Sequence, residues 1–278
     1  MALKTYYWNT RKVSAFSFYM SRLLMPGKKV FRYGNAGDIF NIDLIKYLYD
    51  QDPVNTIKDG GRLLMVGSIA SVIEKRDVVC GIGWKGDDLA NKAGHIASAR
   101  VFGVRGPLTK SLFAKYGADL SRLKFELDPG LLIKEVYNLD LNGGATENVV
   151  FIPHYRDIWA YKGNYPDGIK VINIDNPPEK IAEEILKAKI IYSSSLHGII
   201  FSHALDRECV FVRPQSDESL FKYYDYFLSI GMEAPEPIKN INVLNFLKDR
   251  PTMLNKAIGL NDFEFPTLDF LINNGIVN

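Results

Sequence analysis

Short apolar runs alternate with amphipathic stretches almost from one end of the chain to the other. The runs KVFRYG (29–34), RLLMVGS (62–68), DVVCGIG (77–83), RVFGVRG (100–106) and LKFELD (123–128) predict strands. Between them, DIFNIDLIKYLYD and PLTKSLFAKYG carry helical spacing. In the second of these, Pro107 takes the first helical position and Gly117 falls just past the end, where the backbone of each is well tolerated.

The polar stretch NLDLNGGATEN (138–148) interrupts this alternation, which then resumes with VVFIPHY, GIKVINID, the helix PPEKIAEEILKAK, the strand IIYS, a helix from Leu196 to Leu205 and the strand CVFVRP. Such a pattern predicts an α/β fold of parallel sheets covered by helices. A chain of 278 residues predicts two domains. Their expected limits are 1–142 and 143–278, each doubly wound with its own core, facing across a cleft. The segment after about residue 241 is expected to pack back across them. Ligands in sheets of this kind bind outside the carboxyl ends of the strands, which is where candidate chemistry should be sought.

Composition adds little: 47% hydrophobic, 24% charged and a net charge of +2 describe an ordinary globular chain and give no case for nucleic-acid binding. The distribution of charge says more. No acidic residue precedes Asp38, whereas Lys4, Arg11, Lys12, Arg22, Lys28, Lys29 and Arg32 are basic and are mixed with Tyr6, Tyr7, Trp8, Phe16, Phe18 and Tyr19. A solvated, basic first strand and helix and a peripheral contact with an anionic membrane through residues 2–33 are both open readings. No signal peptide or membrane-spanning run is expected here. Cys80 and Cys209 lie in apolar runs and read as reduced core residues of a cytoplasmic protein.

The stretch YSSSLHGIIFSHAL (192–205) places Ser193, Ser194 and Ser195 at a strand-to-helix turn. Serine there caps the helix, and the free N–H groups of the first turn favour an anion. His197 falls in that first turn, where the helix dipole should lower its pKa and keep proton exchange near neutrality. Gly198 would permit a close approach of backbone or ligand. The turn YGNAGD (33–38) offers Asn35, Gly37 and Asp38 before another helix. Arg105 in GVRGP, and His154 with Arg156 in PHYRD, stand at further strand ends. Arginine forks bind carboxylate and phosphate bidentately, so this set points to a small dianionic ligand. No metal-binding pattern, GxSxG elbow or GxxxxGK[ST] loop is present.

At these residues the chain resembles the polysaccharide pyruvyl transferases, including the succinoglycan type. The matching pieces are GNAGDIFN, GIGW, VFGVRGPLT, LDPGLL, IPHYRD, SSSLHGIIFSHAL and FKYYDYFLSIG, in family order over roughly residues 29–231. The resemblance implies two Rossmann-like domains facing across a cleft, similar to the GT-B glycosyltransferases. It also implies transfer of the pyruvyl group of phosphoenolpyruvate (PEP) to two hydroxyls of one sugar, with no cofactor beyond PEP as donor substrate. The family's catalytic histidine falls on His197, and its donor-binding arginine on Arg105 or Arg156. Many members carry an arginine where this chain has Ser195, so Arg156, Arg213 or Lys222 is expected to replace it.

The chemistry makes matching demands, since forming a ketal from PEP needs an acid near a bound anion and cations for its carboxylate and phosphate. His197 is the expected acid and base. Arg105, His154, Arg156, Ser194, Ser195, Gly198 and Lys222 are expected on the donor side, and Asn35, Gly37 and Asp38 on the acceptor side. The expected acceptor is a lipid-linked oligosaccharide of an exopolysaccharide or capsule, met at the cytoplasmic face of the inner membrane. Two alternatives stay open: a GT-B glycosyltransferase using a nucleotide sugar, and a non-catalytic binding module of a polysaccharide-assembly complex.

Overall fold

The computed structural model describes residues 1–8, 14–24, 31–142, 145–158, 165–239, 241–243 and 249–277. Its strands among these residues are β1 (Ala2–Thr5), β2 (Asp52–Asn55), β3 (Leu63–Leu64), β4 (Val78–Cys80), β5 (Arg100–Val104), β6 (Phe125–Glu126), β7 (Glu147–Ile152), β8 (Ile169–Val171), β9 (Ala188–Ser193) and β10 (Glu208–Phe211). One sheet has the order β2-β1-β3-β4-β5-β6 and the other β8-β7-β9-β10, and every strand pairing within them is parallel. Counted within its own sheet, each begins 2-1-3-4, the pattern of a doubly wound, Rossmann-like sheet. The winding reverses beside β1 in one sheet and beside β7 in the other. A crevice is therefore expected at the carboxyl ends of β1 and β3 and of β7 and β9.

The helices are α1 (Ala15–Leu24), α2 (Ala36–Tyr49), α3 (Ala93–Ser98), α4 (Pro107–Lys115), α5 (Ile133–Val136), α6 (Pro178–Leu186), α7 (Leu196–Ala204), α8 (Phe221–Ser229) and α9 (Leu268–Asn273). The largely apolar sequence of α7 has a direct cause, since all nine of its residues are buried. The largest apolar cluster joins Phe40 and Leu44 of α2, Leu63 and Val78 of the first sheet, Val150 and Ile191 of the second, and Phe201 of α7. A core is thus shared between the sheets, while smaller clusters around Phe113 and around Phe151 each belong to one sheet. The end of the chain returns to the first sheet, where Lys4 donates its N–H to the Ile276 carbonyl at 2.8 Å.

Two expectations change. Of the stretch 29–34, residues 29 and 30 lie outside the described residues, and the remainder is a turn, not a strand. Its amides point inward instead: Arg32, Tyr33 and Gly34 donate to the Asp175 carboxylate at 2.8–3.1 Å, so a buried acid replaces a neighbouring strand as their partner. The strands β1 and β2 were not legible. Each has four residues, and Pro53 within β2 argues against a strand except at a sheet edge, which is where β2 lies.

Candidate active site

The loops that leave β1, β3, β7 and β9 meet around one cavity of about 190 Å³. Tyr6 and Trp8 follow β1, Ser68 and Ser71 follow β3, His154 to Arg156 follow β7, and Ser195 to His197 follow β9. Asn35 and Asp38 at the start of α2 complete one side. Lys85, Glu218 and Lys222 complete another. The cavity thus lies at the carboxyl ends beside the reversal point of both sheets.

The three serines of the β9–α7 turn have three different jobs. The Ser193 hydroxyl donates to the carbonyls of Ile152 (3.1 Å) and Ser195 (2.9 Å), closing the turn on itself. Ser194 is buried, its hydroxyl accepting from the His154 amide at 2.8 Å, so it ties the β7 loop to the β9 loop and does not line the cavity. Ser195 caps α7 with a long 3.4 Å bond from the Gly198 N–H and faces the cavity. Gly198 is needed for close packing inside the fold: a Cβ there would stand 2.3 Å from the Ser193 hydroxyl.

His197 occupies the first turn of α7, only 6% exposed, with its Nε2 unpaired among the described residues. Its ring lies against the start of α2, where Gly37 makes room; a Cβ on that glycine would come within 2.0 Å of Nδ1. Burial, with Arg105 and Lys222 adding repulsion, lowers the imidazole pKa to about 3. The expectation of a group poised near neutrality is therefore corrected: His197 is a neutral base. The group near neutrality is Asp38, raised by burial to about 7 against the pull of Lys222 and the 2.8 Å bond from Asn35 Nδ2. Asn35 also caps α2, its side chain accepting from the Gly37 amide.

The cations gather on one carboxylate. Glu218 accepts from Lys222 at 2.8 Å and pairs with Arg156 at 3.3 Å, and His154 Nε2 lies 4.0 Å away. Lys222 is itself 7% exposed and stands 3.4 Å from His154 Nε2. Arg156 also donates Nε to the Tyr155 hydroxyl at 2.9 Å.

Arg105 is placed elsewhere. Fully buried beneath the cavity, it donates to Asp225 (3.2 Å), Ser68 (2.6 Å) and the Trp84 carbonyl (2.5 Å). It reaches the cavity through its charge and through Ser68, which lines it. Arg213 is exposed and does not line the cavity, leaving Arg156 and Lys222 as the cleft cations of the second half.

Sequence reasoning missed Tyr6, Trp8, Ser68, Ser71, Lys85, Tyr155 and Glu218. The first two follow the unrecognised β1, and Lys85 directly follows the quoted GIGW. Glu218 and Lys222 carry a visible i,i+4 spacing, a signal for pairing that does not by itself place the pair in a cavity.

The arrangement can bind a small anion, remove a proton from a hydroxyl at His197 and supply one from Asp38. A family model described as polysaccharide pyruvyl transferase matches residues 35–216, which include Asn35, Asp38, His154, Arg156 and His197. An uncharacterized protein of Acanthamoeba polyphaga mimivirus is 30% identical over 249 residues, covering 84% of this chain and 81% of its own. No solved structure matches the chain. Among the described residues no helix is long and apolar enough to cross a membrane. With the family match reaching into both sheets and covering most of the residues around the cavity, the chain belongs to the polysaccharide pyruvyl transferase family.

Proposed function

We propose that the chain transfers the pyruvyl group of PEP to two hydroxyls of one sugar residue of a surface polysaccharide, forming a cyclic ketal and releasing phosphate. The observation that carries this reading is a buried imidazole with an unpaired Nε2 in the same cavity as a buried carboxyl near neutrality. His197 takes the proton of the attacking hydroxyl as its oxygen bonds to C2 of PEP, while protonated Asp38 delivers a proton to the methylene carbon, making it a methyl. A neighbouring hydroxyl then closes the ring as the C2–O bond to phosphate breaks, and its proton leaves with the phosphate. Arg156, Lys222 and His154 hold the carboxylate and phosphate, taking over from Glu218, and Ser195 offers its hydroxyl beside the α7 N-terminus. Lys222 stands in for the arginine that many relatives carry at the position of Ser195.

In this reading each sheet with its helices forms one Rossmann-like unit in a GT-B-like arrangement, with residues 1–142 on the acceptor side and 143–278 on the donor side. The experiment is incubation of the purified chain with PEP and a panel of methyl pyranosides. Phosphate is expected only when PEP and a sugar are both present; consumption of a nucleotide sugar in place of PEP would make this a glycosyltransferase.

We propose further that the acceptor is lipid-linked and that α1 meets an anionic membrane surface. Phe16 and Leu24 on this helix are 76% and 66% exposed, in a segment without an acidic residue. Of the basic residues counted there, Arg11, Lys12, Lys28 and Lys29 lie outside the described residues. Truncating the segment would remove β1 from its sheet, so point substitutions make the cleaner test. The Phe16→Ser, Leu24→Ser variant is expected to bind vesicles containing anionic lipid about tenfold more weakly in a sedimentation assay, the loss of two inserted apolar side chains. Equal binding by both proteins would remove membrane contact from the reading.

A further inference from the structure

One wall of the cavity is aromatic. Beyond β1 the chain stays extended because Asn55 clamps Tyr7 from both directions, accepting from its amide at 3.4 Å and donating to its carbonyl at 3.0 Å. Alternation along an extended chain then puts Tyr7 in the core and both Tyr6 and Trp8 on the cavity side. The indole of Trp8 meets Phe31 edge-on at 5.6 Å and Tyr155 at 5.2 Å, and Phe31 and Tyr155 are 5.7 Å apart. Three separate segments thus meet in one aromatic group, of which Trp8 and Tyr155 face the cavity.

Polar groups stand beside this wall. Asn35, Asp38 and Ser71 line the same cavity and offer both donors and acceptors. Tyr155 also reaches the anion-binding end, since its hydroxyl accepts from Arg156 and its ring packs on His154 at 4.6 Å. An apolar face with hydroxyl-sized polar partners around it is the complement of a pyranose ring, which presents C–H bonds on its faces and hydroxyls at its edge. A nucleobase would stack equally well on the ring but would leave a set of side chains suited to hydroxyls unused.

We infer that Trp8, supported by Tyr155 and Tyr6, forms a stacking subsite for a pyranose ring of the acceptor, with Asn35, Asp38 and Ser71 taking its hydroxyls. This rests on the pyruvyl transfer reading and adds to it the residues that hold the sugar. The subsite presents the bound hydroxyl pair toward His197, and it makes Trp8 a determinant of acceptor affinity without a part in donor binding.

The test uses the full chain, a panel of methyl pyranosides of gluco, galacto, manno and 2-acetamido configuration, and saturation-transfer NMR. Wild type should transfer saturation to the ring protons of at least one panel member. Trp8→Ala should weaken that sugar's binding by about tenfold or more, whereas Trp8→Phe, which keeps a stacking face, should lose less. The rise in melting temperature caused by PEP is measured on the same variants and should be unchanged. Sugar binding in Trp8→Ala equal to wild type overturns the inference, and with an intact PEP shift it leaves the transferase reading standing. Loss of the PEP shift in Trp8→Ala, or no transfer to any panel member in wild type, overturns it as well. A wild-type chain that does not respond to PEP but binds sugar through Trp8 sinks the donor reading alone.

Discussion

Replacing His197 with alanine is expected to lower turnover by about 10²- to 10⁴-fold while PEP binding changes by less than about tenfold. The imidazole is held by the α7 first turn against Gly37, and its Nε2 lacks a partner among the described residues. A buried polar atom without a partner is costly, so Nε2 needs a hydrogen-bond partner from within the cavity that His197 lines, a water or a substrate hydroxyl. At a pKa of about 3 the ring is neutral throughout the physiological range and starts the reaction as a base. The incoming PEP carries negative charge and will raise that value, which favours the imidazolium formed once the hydroxyl proton has been taken. Asp38 works from the other side of neutrality. Because it must be protonated to act as the acid, kcat/KM for PEP is expected to fall as pH rises through about 7, the value for the free enzyme. Steady-state kinetics of the variant, paired with a PEP melting shift, checks both halves of the expectation. Unchanged turnover in His197→Ala would remove the imidazole from the chemistry.

The second large effect is on stability. Asp225 of α8 accepts from Arg105 Nε, from the Thr109 hydroxyl at 2.6 Å and from the amides of Leu108 and Thr109 at 3.0 Å. One carboxylate thus neutralises a fully buried arginine and caps the N-terminus of α4, tying an element of the second half to one of the first. Asp225→Ala is expected to destabilise the chain by about 3–5 kcal/mol, because Arg105 would stay buried without its counter-charge. The loss of the cap adds about 1 kcal/mol. The denaturation midpoint measures it. Since α8 also carries Lys222, the variant should bind PEP more weakly wherever it remains folded. Changing Arg105 to Met and Asp225 to Leu together should cost less than Asp225→Ala alone, since neither member of the pair is then buried without the other. A loss below about 1 kcal/mol in Asp225→Ala would show that the pair is not holding the elements together.

The fate of Arg105 shows where reading the sequence stopped. Its place at a strand end between two glycines looked like an anion clamp, but its partner lies 120 residues away in FKYYDYF, where no local signal marks Asp225 as an acceptor. His197 was legible because everything that positions it locally, the β9 end, the serine cap and the first helical turn, is contiguous. Its pKa was not, because burial against α2 and the charges of Arg105 and Lys222 are tertiary facts. The helices α2, α4, α6 and α7 and most strands could be read from periodicity. The strand β1, ALKT, could not, since it has Leu3 as its one large apolar residue, and with it went Tyr6 and Trp8, whose position depends on the strand they follow. Glu218 and Lys222 could be paired from their spacing, yet only the fold shows that Arg156 shares the same carboxylate.

The product tests the central claim most directly. Carbon NMR of the sugar recovered after incubation with PEP labelled at C2 should show a new quaternary ketal carbon bonded to two sugar oxygens, a methyl group and a carboxylate, with inorganic phosphate formed in equal amount. PEP left intact with every sugar offered, while a nucleotide sugar is consumed and its glycosyl group appears on the acceptor, would contradict pyruvyl transfer by this cavity.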